Sequence, residues 1–222
     1  MTQISERIAR GDASAKRWYP QVVALGASPN DELRITAAWV MGQDNSHAAF
    51  HEALLRLLAD TNPVARHNAA LSLVRFGDAS GRADIVSMLR PYAIPSSQAG
   101  TLAQRLKPGD AVNPGTLVAR IKYKAAGNPD EQEMEVRSKV PGRIEKWIVQ
   151  DGSTVATGEK LVLIAPSNDM IWEALRALFL VGKPEDLPEV ERFTRAVEGM
   201  PPQIATQANL TAQSIRERSR TP

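Results

Sequence analysis

Apolar positions in the first part of the chain follow a helical period and then repeat. The stretch 30–41 (NDELRITAAWVM) aligns without gaps with the stretch 62–73 (NPVARHNAALSL), and small alanines coincide in the middle of both. Each stretch is followed by a glycine and an aspartate, and then by a second segment with apolar residues at helical spacing. A repeat built from paired amphipathic helices predicts a solenoid, in which each pair buries its apolar face against the next.

The same pattern returns near the end of the chain. The stretch 172–182 (WEALRALFLVG) aligns with 67–77, and a last amphipathic stretch covers 204–216. Residues 5–25 show a weaker form of the pattern, which is typical of a capping unit at the end of an array. We therefore expect helical repeats over 1–94 and again over 167–222.

Between 95 and 166 the helical period stops, and short runs of alternating apolar and polar residues replace it. One pattern occurs there twice, as GTLAQRLKPGDAVNPGTLVARI (100–121) and as GRIEKWIVQDGSTVATGEKLVLI (142–164). In each copy glycines separate strand-like runs, because glycine adopts the backbone conformations that tight turns require. The segment therefore predicts two matching halves that cover each other's apolar faces.

The amino-acid composition argues against several classes of function. The chain has 222 residues, with 27 Lys plus Arg against 25 Asp plus Glu and no cysteine. Balanced charge disfavours nucleic-acid binding, and the lack of thiols excludes disulfides, thiolate metal sites and cysteine nucleophiles. Residues 1–10 are polar, and no apolar run is long enough to cross a membrane. We expect a soluble chain without direct membrane insertion, cytoplasmic by default and periplasmic if a signal or anchor has been removed.

The helical part resembles the HEAT-repeat family. A shared feature is an aspartate six residues before an arginine, here Asp60 and Arg66, which in that family helps to link neighbouring repeats. The preceding copy departs from the pattern, since Ser28 stands where an aspartate would precede Arg34, and a linking contact is in doubt there. The resemblance implies a curved α-α superhelix whose surface binds other macromolecules.

The middle part resembles the biotinyl/lipoyl-like, or barrel-sandwich hybrid, family through its paired glycine-turn motifs. Its second copy is also similar to the matching part of membrane-fusion proteins of bacterial export systems. The expected fold class is therefore multi-domain α + β. An α-α superhelix of HEAT-like repeats (1–94 and 167–222) is interrupted by an all-β barrel-sandwich hybrid domain (95–166).

Carrier members of the biotinyl/lipoyl-like family attach their cofactor to a lysine at a tight hairpin tip, within Met-Lys-Met for biotin or Asp-Lys-Ala for lipoate. The predicted loop 122–135 contains Lys122 and Lys124 but neither motif, and it is longer than a tight tip. We therefore expect an unmodified hairpin and no cofactor, with these two lysines as the alternative attachment points. The lysines and the acidic residues Asp130 and Glu131 are candidates for contact with a protein partner.

Two histidines raise the question of a metal site. His47 and His51 are four residues apart near a predicted helix start, which would place both imidazoles on one face, as zinc binding needs. No third ligand and no zinc-protease motif accompanies them, so we expect surface histidines, with a metal site as the alternative. His67 is expected at the surface or between repeats. Core packing is expected for Trp39, Trp147 and Trp172, which lie on apolar faces of predicted elements.

These patterns favour a non-catalytic scaffold or adaptor that binds proteins through helical repeats and an unmodified lipoyl-like domain. No phosphate-binding loop, nucleophile elbow or pair of catalytic carboxylates stands out in the sequence. Two alternatives are a periplasmic or membrane-associated component of an export assembly, and a biotin or lipoate carrier. The sequence names neither the partner nor the oligomeric state.

Overall fold

A computed structural model describes residues 2–124, 130–195 and 199–220, and the chain divides into two compact units. One unit combines Met1–Leu89 with Asp169–Pro222 and is helical. The other is Arg90–Asn168 and consists of antiparallel strands. The fold is therefore mixed, with a helical-repeat region assembled from two separate parts of the chain and a β unit between them in sequence.

The helices of the first unit occur largely where the periodicity predicts them. Before the β unit they are α1 (Thr2–Ala9), a 3-10 helix (Ala13–Trp18), α2 (Tyr19–Leu25), α3 (Asp31–Met41), α4 (Ala48–Leu57), α5 (Pro63–Arg75) and α6 (Arg82–Ser87). After it they are α7 (Asn168–Val181), a 3-10 turn (Pro184–Asp186), α8 (Leu187–Glu191) and α9 (Pro202–Arg218).

The two matching helices, α3 and α5, begin at the same type of cap. The side-chain oxygens of Asn30 and Asn62 each accept a hydrogen bond from the amide two residues later, at 2.9 Å. Helix α5 stops before Gly77, whose φ of 74° lies in the left-handed region that glycine tolerates. The next amide, of Asp78, bonds to the carbonyl of Leu73 at 3.0 Å and closes the last turn.

Neighbouring repeats are joined by side chains that reach across to a backbone carbonyl. Ser72 on α5 donates its hydroxyl to the carbonyl of Ala38 on α3 at 2.9 Å. Thr211 on α9 donates in the same way to the carbonyl of Leu175 on α7 at 2.8 Å. Because these donors are buried, each bond satisfies a polar group that would otherwise be costly. Helix α5 thus stacks on α3, and α9 stacks on α7.

An arginine–aspartate pair also links the first two repeats. The Arg34 guanidinium donates two hydrogen bonds to the Asp60 carboxylate, at 2.6 and 2.9 Å, and holds the pKa of that carboxyl below its ordinary value. Arg66 donates to the backbone carbonyl of Asp60 at 2.7 Å and to the carboxylate of Asp84 at 3.0 Å. Ser28, where the sequence lacks an aspartate, accepts the Arg34 guanidinium on its backbone carbonyl at 2.9 Å.

The apolar side chains of the helical unit form two clusters. The first joins α1 to α5 and includes the fully buried Met41, Phe50 and Leu54. The second joins α5 and α6 to the helices that follow the β unit, and it includes Ile85 and Leu175. Since the second cluster draws on both parts of the chain, the later helices continue the same helical unit.

The β unit contains two four-stranded antiparallel sheets. Its strands are β1 (Tyr92–Pro95), β2 (Gly100–Gln104), β3 (Ala111–Val112), β4 (Leu117–Lys124), β5 (Glu131–Arg137), β6 (Gly142–Trp147), β7 (Thr154–Val155) and β8 (Lys160–Pro166). One sheet has the order β1-β8-β6-β3 and the other β5-β4-β2-β7. Each half of the duplicated pattern therefore gives its short middle strand to the sheet of the other half.

Backbone hydrogen bonds repeat between the two halves. Leu102 exchanges both of its backbone bonds with the turn 152–153, each at 2.9 Å. Ile144 exchanges both of its bonds with the equivalent turn 109–110, at 2.8 and 2.9 Å. The duplication in the sequence is therefore also a duplication of strand pairing.

The β unit begins and ends at neighbouring positions. Strand β1 starts at Tyr92, ahead of the expected boundary at 95, and Tyr92 lies opposite Ile164 on β8. Because β1 and β8 are antiparallel, the chain enters and leaves the unit side by side.

The predicted loop 122–135 is wrong, because most of it is strand. Strands β4 and β5 pair as far as Lys124 opposite Glu131, which leaves only the segment between them as a connection. Charged residues on one face of these strands oppose each other, as Lys122 opposes Glu133. Opposite charges across two strands stabilise pairing even where the face is exposed, so the charged composition did not mark a loop.

Candidate functional site

A groove of about 400 Å³ crosses the surface of the helical unit. Its walls come from α3, α5 and α7, so the stacking of the repeats creates it. The side chains that define it include Trp39, Leu71, Arg75, Glu173, Arg176 and Leu180. A groove made from three stacked helices has a fixed shape, because each helix is held by the buried core behind it.

The repeat alignment explains which side chains meet in the groove. Trp39, Leu71 and Arg176 occupy equivalent positions on the three helices, and Arg75 and Leu180 are equivalent one turn later. Equivalent positions on stacked helices form rows across the array. The groove therefore presents one row that runs from tryptophan through leucine to arginine, beside a second row of arginine and leucine.

The prediction that Trp39 packs in the core is wrong. Its side chain is 47% exposed and lies in the groove, although its neighbours Ala38 and Val40 are fully buried. Other helices cover α3 on several sides, so its buried arc is wide and the apolar pattern does not mark where that arc ends. Leu180, at 60% exposure, is also open to solvent.

The other two tryptophans are at least partly covered. The indole N–H of Trp147 donates to the carbonyl of Leu106 at 3.1 Å within the β unit. Trp172 is partly buried against the second apolar cluster of the helical unit. Of these three tryptophans, only Trp39 contributes a large exposed aromatic surface to the groove.

Two arginines and one glutamate give the groove its charge. Nη1 of Arg75 donates to the carbonyl of Gly42 and to the side chain of Gln43, both at 3.2 Å. Its other N–H groups make no hydrogen bond within the part of the chain that the structure describes. Arg176 lies 3.7 Å from Glu173, and both side chains are at least half exposed. The pair is therefore weak, and both guanidinium groups can donate hydrogen bonds to a further carboxylate.

The predicted lysine sites lie on the β4–β5 hairpin of the other unit. Lys122 is within β4 and its Nζ lies 3.8 Å from Glu131, while Lys124 ends the strand opposite that glutamate. Asp130 directly precedes β5. The structure thus brings Lys122, Lys124 and Glu131 together on one face, but it places both lysines in strand and not in a turn. The connection 125–129 lies outside the described residues.

The histidines predicted as an alternative metal site have separate partners. His47 precedes α4 and packs against Tyr19 and Phe50, with ring centroids 4.8 and 4.9 Å away. His51 lies within α4, and its Nε2 is 2.7 Å from Asp78. Among the described residues, no group of three or more His, Cys, Asp and Glu side chains is arranged to hold a metal ion.

His67 is buried, so the surface position, which was one of the two positions expected for it, is wrong. Its side chain is on α5 with its Nε2 3.1 Å from the hydroxyl of Ser87, and the residue is only 6% exposed. Burial, helped by the neighbouring charge of Arg66, lowers the pKa of His67 to about 4. The imidazole is therefore neutral at physiological pH and acts as a polar member of the core.

Comparison with known proteins agrees with the helical-repeat geometry. A family model for HEAT repeats matches residues 20–93, which span α2 to α6 and about a third of the chain. No curated protein and no solved structure matches the chain significantly. HEAT repeats are consistent with a protein-interaction scaffold. Within the described residues, no helix is both long and apolar enough to cross a lipid bilayer.

The groove is not among the sites that the sequence predicts, although the sequence contains part of its signal. The repeat alignment places Trp39 and Leu71 at one position, where an apolar residue occurs in both copies. Since the same position holds Arg176 in the third helix, it does not behave as a core position. Equivalent positions that alternate between apolar and charged residues therefore indicate a surface row.

Proposed function

We propose that this protein is a non-catalytic scaffold whose helical unit binds a protein partner in the groove on α3, α5 and α7. The observation that supports the proposal most strongly is the exposure of Trp39 in a groove built by three stacked helices. Large exposed aromatic side chains in a groove are typical of protein-binding surfaces. The match to HEAT repeats over 20–93 supports the same function.

We also propose that the β unit is an unmodified domain of the biotinyl/lipoyl-like, barrel-sandwich hybrid type, inserted near residues 95–166. Exchange of the short strands β3 and β7 between the two sheets supports this type of fold. The adjacent start and end of the unit support insertion, because a host fold can continue past a domain whose ends meet. Expression of residues 90–168 alone, followed by amide exchange, tests whether the unit folds independently.

The position of the lysines favours an unmodified domain over a carrier. An attachment lysine must be presented at a turn, whereas Lys122 is within β4 and lies near Glu131. Intact mass after co-expression with biotin and lipoate ligases tests this point. An adduct on Lys122 or Lys124 would establish the carrier function, and an unchanged mass is the expected result.

The scaffold function is tested by affinity capture with matched variants. The tagged chain, Trp39→Ala and Trp18→Ala are each used to capture proteins from a lysate of the native cell. Trp18 is a suitable control because it is an exposed tryptophan, at 37%, that does not line the groove. We expect a partner that is retained by the wild type and by Trp18→Ala and lost by Trp39→Ala. Equal retention by all three proteins would contradict the role of the groove.

A further inference from the structure

We propose that the groove on α3, α5 and α7 selects a partner segment in which a large apolar side chain is flanked by carboxylates. This inference rests on the proposed function and adds the chemistry of the ligand. The apolar side chain would contact Trp39 and Leu180, and the carboxylates would bind Arg75 and Arg176.

The groove is small, and its apolar side chains are open to solvent. A volume of about 400 Å³ is at the lower end of the range of roughly 300–1,000 Å³ that is typical of ligand pockets. Trp39 and Leu180 are each about half exposed, so apolar area remains to be covered on both. A bulky aromatic or leucine side chain from a protein segment would cover this area.

Arg75 is oriented in advance for an anionic ligand. Its two hydrogen bonds, to Gly42 and Gln43, use one nitrogen and fix the direction of the guanidinium. The remaining N–H groups have no hydrogen-bond acceptor among the described residues, so they can bind a carboxylate without breaking an existing bond. A guanidinium matches a carboxylate in shape and can bind it with two parallel hydrogen bonds.

Arg176 supplies the second positive charge, and its existing ion pair is weak enough for a ligand to displace. Its one ion pair among the described residues, with Glu173, is long at 3.7 Å and exposed to water, so a ligand carboxylate can compete for it. The three charged side chains that line the groove have a net charge of +1, which favours an acidic segment over a basic one. Glu173 would in turn repel that segment weakly.

The proposal is tested with three fluorescent peptides of equal length that share a Leu-Phe-Leu core. The first has glutamates on both sides of the core, the second glutamines and the third lysines, and binding to the full chain is measured by fluorescence anisotropy. We expect the glutamate peptide to bind at least ten-fold more tightly than the other two. Its affinity should fall as salt is raised, because exposed charges are screened.

Variants of the chain locate the bound peptide. The affinity for the glutamate peptide should fall at least five-fold in each of three variants, Trp39→Ala, Arg75→Gln and Arg176→Gln. It should rise in Glu173→Gln. Trp18→Ala should leave the affinity unchanged, and circular dichroism checks that every variant is folded. Equal affinity for all three peptides, or no binding of the glutamate peptide, would overturn the proposed charge preference.

The outcomes separate this inference from the scaffold function. If capture of a partner is lost in Trp39→Ala but not in the Arg75 and Arg176 variants, the scaffold function stands and the preference for an acidic segment is refuted. Light scattering adds a further test, since a dimer that dissociates in Trp39→Ala would assign the groove to a second copy of the chain and overturn the proposal. A partner that ignores Trp39 would refute the groove itself.

Discussion

Arg82 donates a hydrogen bond of 2.6 Å from Nη1 to the carboxylate of Asp186, and the two residues are 104 positions apart in the chain. One is in α6, before the β unit, and the other is in the short helical turn before α8. Asp186 also accepts the backbone amide of Lys183 at 2.8 Å. Because its side chain is only 6% exposed, this aspartate is a buried polar link between the two parts of the helical unit.

Asp186→Ala should therefore destabilise the helical unit. Among the described residues, the substitution leaves the Arg82 guanidinium with the exposed Glu185 at 2.8 Å as its partner, and it removes the acceptor for the Lys183 amide. Loss of a buried charged hydrogen-bond partner costs roughly 1.5–3 kcal/mol of unfolding free energy. Urea unfolding followed by circular dichroism at the helical band measures the change. Glu185→Gln is the control, and a change below about 1 kcal/mol is expected because that pair is exposed. Equal losses in both variants would show that burial of Asp186 is not the cause.

The unfolding free energy should fall in mild acid because His67 is held neutral in the folded state. The unfolded chain binds a proton at this residue near the ordinary pKa of 6.5, whereas the folded state does so only at a pKa of about 4. Between these values the unfolded state binds more protons, so acid favours unfolding. The difference corresponds to about 3 kcal/mol of unfolding free energy, most of which is lost by pH 4.

The measurement compares the wild type with His67→Gln at pH 7 and pH 4.5. Both proteins contain the same carboxylates and the same His47 and His51, so the contribution of these groups largely cancels. The variant should lose less unfolding free energy than the wild type between the two pH values, whatever its stability at pH 7. An equal loss would mean that His67 is not held neutral in the core.

The helix pairs could be predicted from the sequence because their signals are local. Asn30 and Asn62 cap their helices through amides two residues away, and the alanines in the middle of each helix recur with the period of the repeat. The exposure of Trp39 could not be predicted in the same way. It depends on how far the neighbouring helices extend over α3, and the apolar pattern of a single helix does not contain that information.

Contacts between residues far apart in the chain could not be predicted from the sequence either. No periodicity connects Arg82 to Asp186, because their contact depends on the path of the chain through the whole β unit. A hairpin is expected after Ile121, but the length of its strands is hidden, since the outer part pairs Lys122 with Glu133 and Lys124 with Glu131 through opposed charges. The candidate groove depends on how α3, α5 and α7 stack, and that stacking is visible only in the assembled repeats.

The contact between Arg34 and Asp60 should depend on the fork shape of the guanidinium. Arg34→Lys keeps the charge but can reach only part of the carboxylate, so the two bonds of 2.6 and 2.9 Å cannot both form. We expect a loss of about 1–2 kcal/mol of unfolding free energy. The loss should be larger for Asp60→Ala, which removes both of these bonds from a mostly buried arginine and also removes the acceptor for the Asn62 amide. Thermal and urea unfolding of the two variants measure this order, and a fully stable Arg34→Lys would contradict it.

Two equivalent glycines test the duplication of the β unit. A methyl group on Gly100 would collide with the backbone carbonyl of Lys122, and one on Gly142 would collide with the carbonyl of Ala165. A carbonyl within a strand cannot rotate away, so Gly100→Ala and Gly142→Ala should each cost about 2–3 kcal/mol and loosen the β unit to a similar extent. Amide exchange measured on peptides from 100–166 reports that unit separately from the helices. Gly115→Asn is the control, because that turn has open space around it and asparagine tolerates the left-handed conformation, which keeps the cost below about 1 kcal/mol. A strong effect at only one of the two alanine variants would show that the halves are not equivalent, and it would remove the main support for a barrel-sandwich hybrid.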